Sequence, residues 1–162
     1  MTPSDVPTLY SWLGGIARLD ELTAKFYDKV LADPLLQGVF AQMDANHPHR
    51  VALFLAEVLG GPKTYSEEMG SHAIMLRKHF GRHLTEEQRQ RWVHLLLATA
   101  DEIQLPDDPE FRSAFVAYIE WGTRLAVLNS RLPKDTEVDD ANPMPKWGWG
   151  VPGGPFRPPD TD

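Results

Sequence analysis

The sequence predicts an all-α protein with one domain over residues 1–131 and an irregular C-terminal extension over residues 132–162. Apolar residues recur at spacings of three and four in several long segments, which places them on one face of a helix. Helix start and stop signals flank these segments, and the alternation that is typical of strands is missing from the sequence. A chain of 162 residues is long enough to bury one hydrophobic core.

Start and stop signals divide the N-terminal half of the chain into helices. The glycine pairs Gly14-Gly15 and Gly60-Gly61 end two of these helices, because glycine readily leaves the helical conformation. Ser4 is the expected cap of the opening helix. The helices predicted in this half span residues 4–13, 16–32 and 47–59, and a short helical turn leads from Asp33-Pro34 to Phe40.

Local signals also mark the start of the two long C-terminal helices. Thr85 and Gln88 form a capping-box pattern, in which the side chains of the two residues satisfy free backbone N–H groups. Asp108-Pro109 combines a cap residue with a proline at the first helical position. The first of these helices is predicted to run from Glu86 to about residue 103. The second follows a loop and runs from Pro109 to about Arg131. Residues 63–70 are predicted to be mostly loop or one loose turn, with Ser66, Glu67 and Glu68 solvated.

One histidine ends a short helix before the capping box. Met75, Leu76 and His79 lie at spacings of three and four, so the imidazole shares a face with two apolar side chains and points inward. Two interpretations are open from this pattern: a buried imidazole bonded to a backbone carbonyl, or an axial metal ligand. One histidine cannot form a zinc site, but it suffices for a haem iron that four porphyrin nitrogens already hold.

Composition excludes several classes of function. The formal net charge is −7 and the pI is near 5.3, so we expect no nucleic acid as a partner. The chain has no cysteine, which excludes disulfides, thiolate nucleophiles and iron–sulfur clusters. No apolar run is long enough to span a membrane, and the first residues do not resemble a signal peptide. We therefore predict a soluble, cytoplasmic protein without a membrane partner.

The extension has a composition of its own. Prolines recur every few residues in NPMPKWGWGVPGGPFRPPD, which prevents a helix. Disorder is one interpretation. The other is that part of the extension lies against the domain, because Trp147, Trp149 and Phe156 are costly to leave in water.

Five features follow one another along the chain: Gly14-Gly15, Phe26-Tyr27, the block FLAEVLGGPKTYSEEMG from Phe54 to Gly70, His79, and TEEQRQRWVHLL from Thr85 to Leu96. In this order and spacing they resemble the group II truncated haemoglobins. The resemblance covers roughly residues 8–130. It implies a two-over-two sandwich of helices around haem b.

The resemblance also implies roles for particular residues. His79 would be the proximal iron ligand, while Tyr27 and Trp92 would be distal donors of hydrogen bonds to bound oxygen, which carries negative charge. Phe40 would pack against the porphyrin face. The complete set of residues expected to contact the cofactor is Tyr27, Phe40, His47, Val51, Phe54, Tyr65, Met75, Arg77, Lys78, His79 and Trp92.

His47 is the main departure from the family pattern, because a small residue often occupies this position. A histidine there would donate to the ligand, bind the sixth iron site or swing outward and gate entry. Val51, one helical turn later, would line the cavity and limit ligand size. The haem carboxylates could be bound by three residues at their expected position, Tyr65, Arg77 and Lys78.

The resemblance implies a haem protein that reversibly binds oxygen and other diatomic ligands in the ferrous state. An alternative on the same scaffold is a haem enzyme of nitric oxide dioxygenation or peroxidase type, which would need an unidentified external reductase. An alternative of another class is a haem-free helical interaction module. The protein is expected to be a monomer or a homodimer.

Overall fold

The computed structural model describes residues 6–150, which contain seven α-helices and no β-strand. The prediction of an all-α fold is therefore confirmed. The helices are α1 (Leu9–Leu13), α2 (Ile16–Ala32), α3 (His47–Val58), α4 (Thr64–Glu68), α5 (His72–Arg77), α6 (Glu86–Glu102) and α7 (Pro109–Ser130). Among the helices of this range, none combines the length and apolar character needed to cross a membrane.

The four long helices form two pairs. Helix α2 packs against α3, α6 packs against α7, and contacts between α2 and α6 join the two pairs. The fully buried side chains of these helices include Leu19, Leu22, Phe26, Val30, Val58, Leu96, Phe111 and Phe115. Each such side chain contributes roughly 1.5–3 kcal/mol by leaving water. The core is thus the predicted two-over-two sandwich.

Helix α1 begins later than predicted. Its cap is Thr8, whose Oγ1 accepts a hydrogen bond from the Ser11 N–H at 3.0 Å. The expected cap, Ser4, lies outside the described residues. A helix of five residues is unstable alone, but Leu9 and Leu13 are buried, and the Tyr10 N–H donates to the Leu59 carbonyl at 2.9 Å. Packing against the end of α3 therefore stabilises this helix.

The segment after Asp33 forms the predicted helical turn as a run of hydrogen-bonded turns through Phe40, without a regular helix. Asp33 Oδ1 accepts from the Leu35 N–H at 2.9 Å, which stabilises a turn at the position of the expected cap. Arg91 of α6 binds the other carboxylate oxygen at 2.8 Å. The contact with α6 is distant in sequence, so local signals do not reveal it.

The segment 63–70 contains the five-residue helix α4, where mostly loop or one loose turn is predicted. Ser66, expected to be solvated, donates its backbone N–H to Glu57 Oε1 at 2.9 Å, and its hydroxyl bonds Oε2 of the same carboxylate. Glu57 is buried in α3. Tyr65 is also buried, with its ring 5.2 Å from that of Phe54. Contacts with α3 therefore hold α4 in place.

The capping box at the start of α6 is confirmed. The Gln88 N–H donates to Thr85 Oγ1 at 3.1 Å, and the Thr85 N–H donates to Gln88 Oε1 at 3.0 Å. The helix consequently begins at Glu86, as predicted.

Thr85→Ala is expected to lower the free energy of unfolding by about 0.5–2 kcal/mol, because an N–H group at the helix start loses its acceptor. Urea denaturation measures this change. Ser71→Ala is the matched control, since Ser71 precedes α5 without a side-chain capping bond. Equal losses of stability in the two variants would contradict a special contribution of the capping box.

Residues 132–150 contain no helix or strand, but they lie against the domain. The backbone N–H of Trp147 donates to the Val58 carbonyl at 2.8 Å, and the indole N–H of Trp149 donates to the Pro7 carbonyl at 2.7 Å. The Trp147 ring also contacts that of Tyr118. Of the two interpretations of the extension, packing therefore holds for this part, while Phe156 lies outside the described residues.

Candidate functional site

A cavity of about 530 Å³ is lined by residues from α2 to α7 and from the loops between them. This volume is typical of a pocket for a small molecule or cofactor, for which roughly 300–1,000 Å³ is usual. Most of the lining side chains are apolar, and a few polar groups converge among them. The cavity is therefore the candidate functional site.

The cavity brings together every residue of the predicted set except Arg77. The members that line it are Tyr27, Phe40, His47, Val51, Phe54, Tyr65, Met75, Lys78, His79 and Trp92. Arg77 ends α5 and does not line the cavity. Its guanidinium donates to Asp140 Oδ1 at 2.7 Å and to the Val138 carbonyl at 3.2 Å. The structure thus places Arg77 against the extension.

His79 lies in the turn after α5, because the helix ends at Arg77, two residues earlier than predicted. Its Nδ1 is 3.0 Å from the Met75 carbonyl, which can only accept, so Nδ1 carries the proton. Burial lowers the pKa of His79, although the bond to Met75 acts in the opposite direction. The imidazole is consequently neutral at pH 7, with an unprotonated Nε2 available to a ligand or metal.

Tyr27 and Trp92 belong to one aromatic cluster in the cavity wall. The ring of Phe26 lies 4.8 Å from each of them, with edge-on geometry in both pairs. Burial raises the pKa of Tyr27 well above its usual range, and a hydrogen bond from Trp92 only partly opposes this shift. The phenol is therefore protonated at pH 7. Because the indole N–H of Trp92 faces the phenol oxygen, the phenol O–H is the donor that remains for another group in the cavity.

His47 adds a third polar ring to this part of the cavity. Its ring lies 4.8 Å from that of Tyr27 and 6.1 Å from that of Phe40. Its Nε2 is buried and has no hydrogen-bond partner among residues 6–150. Burial, followed by the nearby charge of Arg50, lowers the pKa of His47 to about 4. A neutral imidazole with an unpartnered nitrogen fits a site built to hold another polar group.

The low pKa of His47 predicts a pH-dependent stability. In the unfolded chain the ordinary value is 6.5, so between pH 6.5 and 4 the unfolded state binds more protons, and stability decreases as the pH falls. His47→Gln is expected to reduce this slope in urea unfolding experiments. Burial also lowers the pKa values of His72 and His79, so part of the slope remains.

His94→Gln is the control for the loss of a histidine, because His94 is exposed on α6 and does not line the cavity. An equal reduction of the slope in this variant would contradict the role assigned to the burial of His47.

Several lining residues are missed by the sequence analysis. His72 is buried in the wall and stacks on Phe54 with ring centres 6.2 Å apart. Helix α7 supplies a further part of the wall, and its apolar periodicity identifies these residues only as core. The α7 residues that line the cavity include Tyr118, Ile119, Trp121, Gly122, Leu125 and Ala126.

Basic side chains mark one part of the cavity wall. Arg50, Lys78 and Arg82 all line it, and the last two are exposed, which places them at its opening. They lie near His47, whose pKa their positive charges help to lower. Within the described part of the chain, no group of three or more histidine and carboxylate side chains is arranged to hold a metal ion.

The residues present fit a haem. The cavity offers one neutral histidine nitrogen for the iron, apolar walls for the porphyrin, and basic groups at the opening for its carboxylates. An all-α two-over-two sandwich with this cavity defines a truncated globin. The chain belongs to the bacterial-like globin family, whose model matches residues 8–121.

Comparisons with individual proteins agree with the resemblance found in the sequence. The chain is 28% identical over 122 residues to the Group 2 truncated hemoglobin YjbI of Bacillus subtilis, which covers 75% of this chain and 86% of that protein. The thermostable haemoglobin of Thermobifida fusca is 31% identical, with coverage of 75% and 97% and a TM-score of 0.66. The group II 2-on-2 haemoglobin of Agrobacterium tumefaciens is 27% identical, with coverage of 81% and 99% and a TM-score of 0.64. The resemblance to group II truncated haemoglobins is thus confirmed.

Proposed function

We propose that this protein holds haem b in the cavity and reversibly binds oxygen and other diatomic ligands there. The observation that carries the proposal is the neutral His79 in the wall of a cavity that also contains Tyr27, His47 and Trp92. Membership of the globin family supports it. When bound, the haem supplies a ferrous iron that takes up a diatomic molecule and releases it unchanged.

His79 would bind the iron through Nε2. Its Nδ1–H donates to the Met75 carbonyl, and this bond fixes both the tautomer and the orientation of the ring. Because Met75 belongs to α5 and His79 to the turn that follows, the bond also ties the ligand to a helix. The protein itself thus orients the proposed ligand.

The distal side would be formed by Tyr27, His47 and Trp92. The phenol remains protonated at pH 7, and the indole N–H carries its proton at all ordinary pH values, so both donate hydrogen bonds toward a ligand with negative charge. Phe40 and Val51 line the same cavity and would limit the access of water to these donors. A hydrogen bond is stronger where water is excluded.

Basic side chains at the opening of the cavity would form ion pairs with the haem carboxylates. Lys78 and Arg82 are exposed, and Arg50, which is half-buried and paired with Asp44 at 2.7 Å, lines the same cavity. Tyr65 also lines the cavity and offers a hydroxyl. Ion pairs at an exposed opening contribute little each, so the axial bond and apolar contacts would provide most of the affinity.

A single spectrum tests the proposal. Protein purified after haem supply is expected to show a strong Soret band, and reduction should produce a five-coordinate ferrous species that binds oxygen reversibly. The alternative, a haem-free helical interaction module, predicts a colourless protein under the same conditions.

An enzymatic role is the second candidate function. Polar donors around a diatomic ligand also suit reaction of bound oxygen with nitric oxide, or reduction of peroxide. Turnover in either reaction would require electrons from a donor outside this chain, such as an unidentified reductase. We place both candidate roles in the cytoplasm.

A further inference from the structure

Three aromatic side chains form a cluster that connects the cavity with the protein surface. Trp147 of the extension lies 5.6 Å from Tyr118 and 5.7 Å from Trp121, and Tyr118 and Trp121 are 6.2 Å apart, measured between ring centres. We call these three residues the aromatic triad. Each ring of the triad is therefore in contact with both of the others.

The triad reaches from the cavity wall to solvent. Tyr118 and Trp121 both line the cavity. Tyr118 is only 4% exposed, whereas Trp121 is 42% exposed and Trp147 is partly exposed. The bond from the Trp147 N–H to the Val58 carbonyl fixes the extension in this place. A molecule at the surface can thus touch a ring that belongs to the cavity wall.

Tyrosine and tryptophan are the aromatic side chains that lose an electron most readily. Oxidation of a phenol also requires release of its proton, and burial raises the pKa of Tyr118 well above its usual range. Loss of one electron from the triad would therefore leave the radical on one of the two indoles. Both are accessible to a reductant in solution.

We propose that the aromatic triad conducts electrons from phenolic reductants at the surface to hydrogen peroxide in the cavity. This inference rests on the proposed haem binding. One peroxide molecule takes up two electrons and two protons and becomes two molecules of water. Two phenol molecules supply them, each losing one hydrogen atom to become a phenoxyl radical. Phenols too large to enter the cavity are oxidised at Trp121 and Trp147.

The chain contains a matched control outside the triad. Trp12 and Trp149 also form an edge-on pair, with ring centres 5.9 Å apart. Trp12 is 36% exposed, close to the exposure of Trp121, but neither ring of this pair lines the cavity. Oxidation governed by exposure alone would affect both groups, whereas conduction from the cavity would affect only the triad.

Radical trapping tests the proposal. The ferric haem-loaded protein is mixed with one equivalent of hydrogen peroxide and a nitroso spin trap, and the adducts are located by peptide mass mapping. Adducts are expected at Trp121 and Trp147, and none is expected in the haem-free protein. Trp147→Phe should lose the adduct at that position and oxidise a bulky, polymer-linked phenol more slowly. Trp147→Tyr should restore the faster rate, because it returns an oxidisable ring of similar shape.

Two results would overturn the proposal while the haem assignment stands. One is an adduct yield at Trp12 equal to that at Trp147 in a protein with a normal Soret band. The other is an unchanged rate for the bulky phenol in a folded Trp121→Phe/Trp147→Phe double variant. Trp12→Phe should behave like the original protein. A colourless protein would instead overturn the proposed function and the triad with it.

Discussion

His79→Ala is expected to release haem or to leave it weakly bound, with loss of the five-coordinate ferrous spectrum. The variant removes the nitrogen proposed to bind the iron. A bond to the Met75 carbonyl orients His79 for this role. The other two histidines in the cavity wall, His47 and His72, do not make this bond. Absorption spectra before and after reduction, together with transfer of haem to an acceptor protein, measure the loss. Added imidazole should restore much of the spectrum by occupying the vacated position.

His94→Ala is the control for this experiment, because its side chain is exposed and outside the cavity. Haem retention in that variant should equal that of the original protein. A normal five-coordinate ferrous spectrum in His79→Ala without imidazole would contradict the proximal assignment. His72, which is buried in the cavity wall against Phe54, would then be the next candidate.

Removal of the distal donors is the second change with a large expected effect. A hydrogen bond to a charged partner contributes roughly 1.5–3 kcal/mol, so Tyr27→Phe and Trp92→Phe should each accelerate oxygen dissociation about ten- to a hundredfold. Both variants keep most of the aromatic volume against Phe26 and remove a donor. Oxygen displacement and flash photolysis measure the rates. Carbon monoxide, which carries less charge when bound, should respond less.

His47→Ala ranks the third polar ring against these two donors. We expect a smaller change than in the aromatic variants, because the hydrogen-bonding role of Tyr27 and Trp92 comes from the family pattern, whereas His47 departs from it. The unpartnered Nε2 of His47 nevertheless makes this side chain available to a ligand. Oxygen dissociation that is unchanged in both aromatic variants but much faster in His47→Ala would reverse the ranking.

The site shows where a sequence pattern is informative. Tyr27, His79 and Trp92 are widely separated along the chain, and the family pattern nevertheless predicts the common cavity that the structure shows. The pattern carries no information about Trp147, because the extension lies beyond the matched residues 8–121. Only the structure reveals that this ring packs on the α7 residues of the cavity wall.

The boundaries of the long helices are the feature that the sequence by itself determines best. Helix α2 spans Ile16–Ala32, α6 begins after the capping box of Thr85, and Asp108 caps α7, all as predicted. These boundaries depend on hydrogen bonds between residues three or four positions apart. Capping residues, prolines and apolar periodicity report such local interactions directly.

Tertiary structure decides the features that depend on distant partners. Ser66 joins a helix because it bonds Glu57, and Arg77 turns away from the cavity because Asp140 binds its guanidinium. The place of the extension depends likewise on the bond from Trp147 to Val58. The partners in these contacts come together only when the chain is folded. Local sequence signals do not predict these contacts, because each stabilising interaction joins two segments that are distant in sequence.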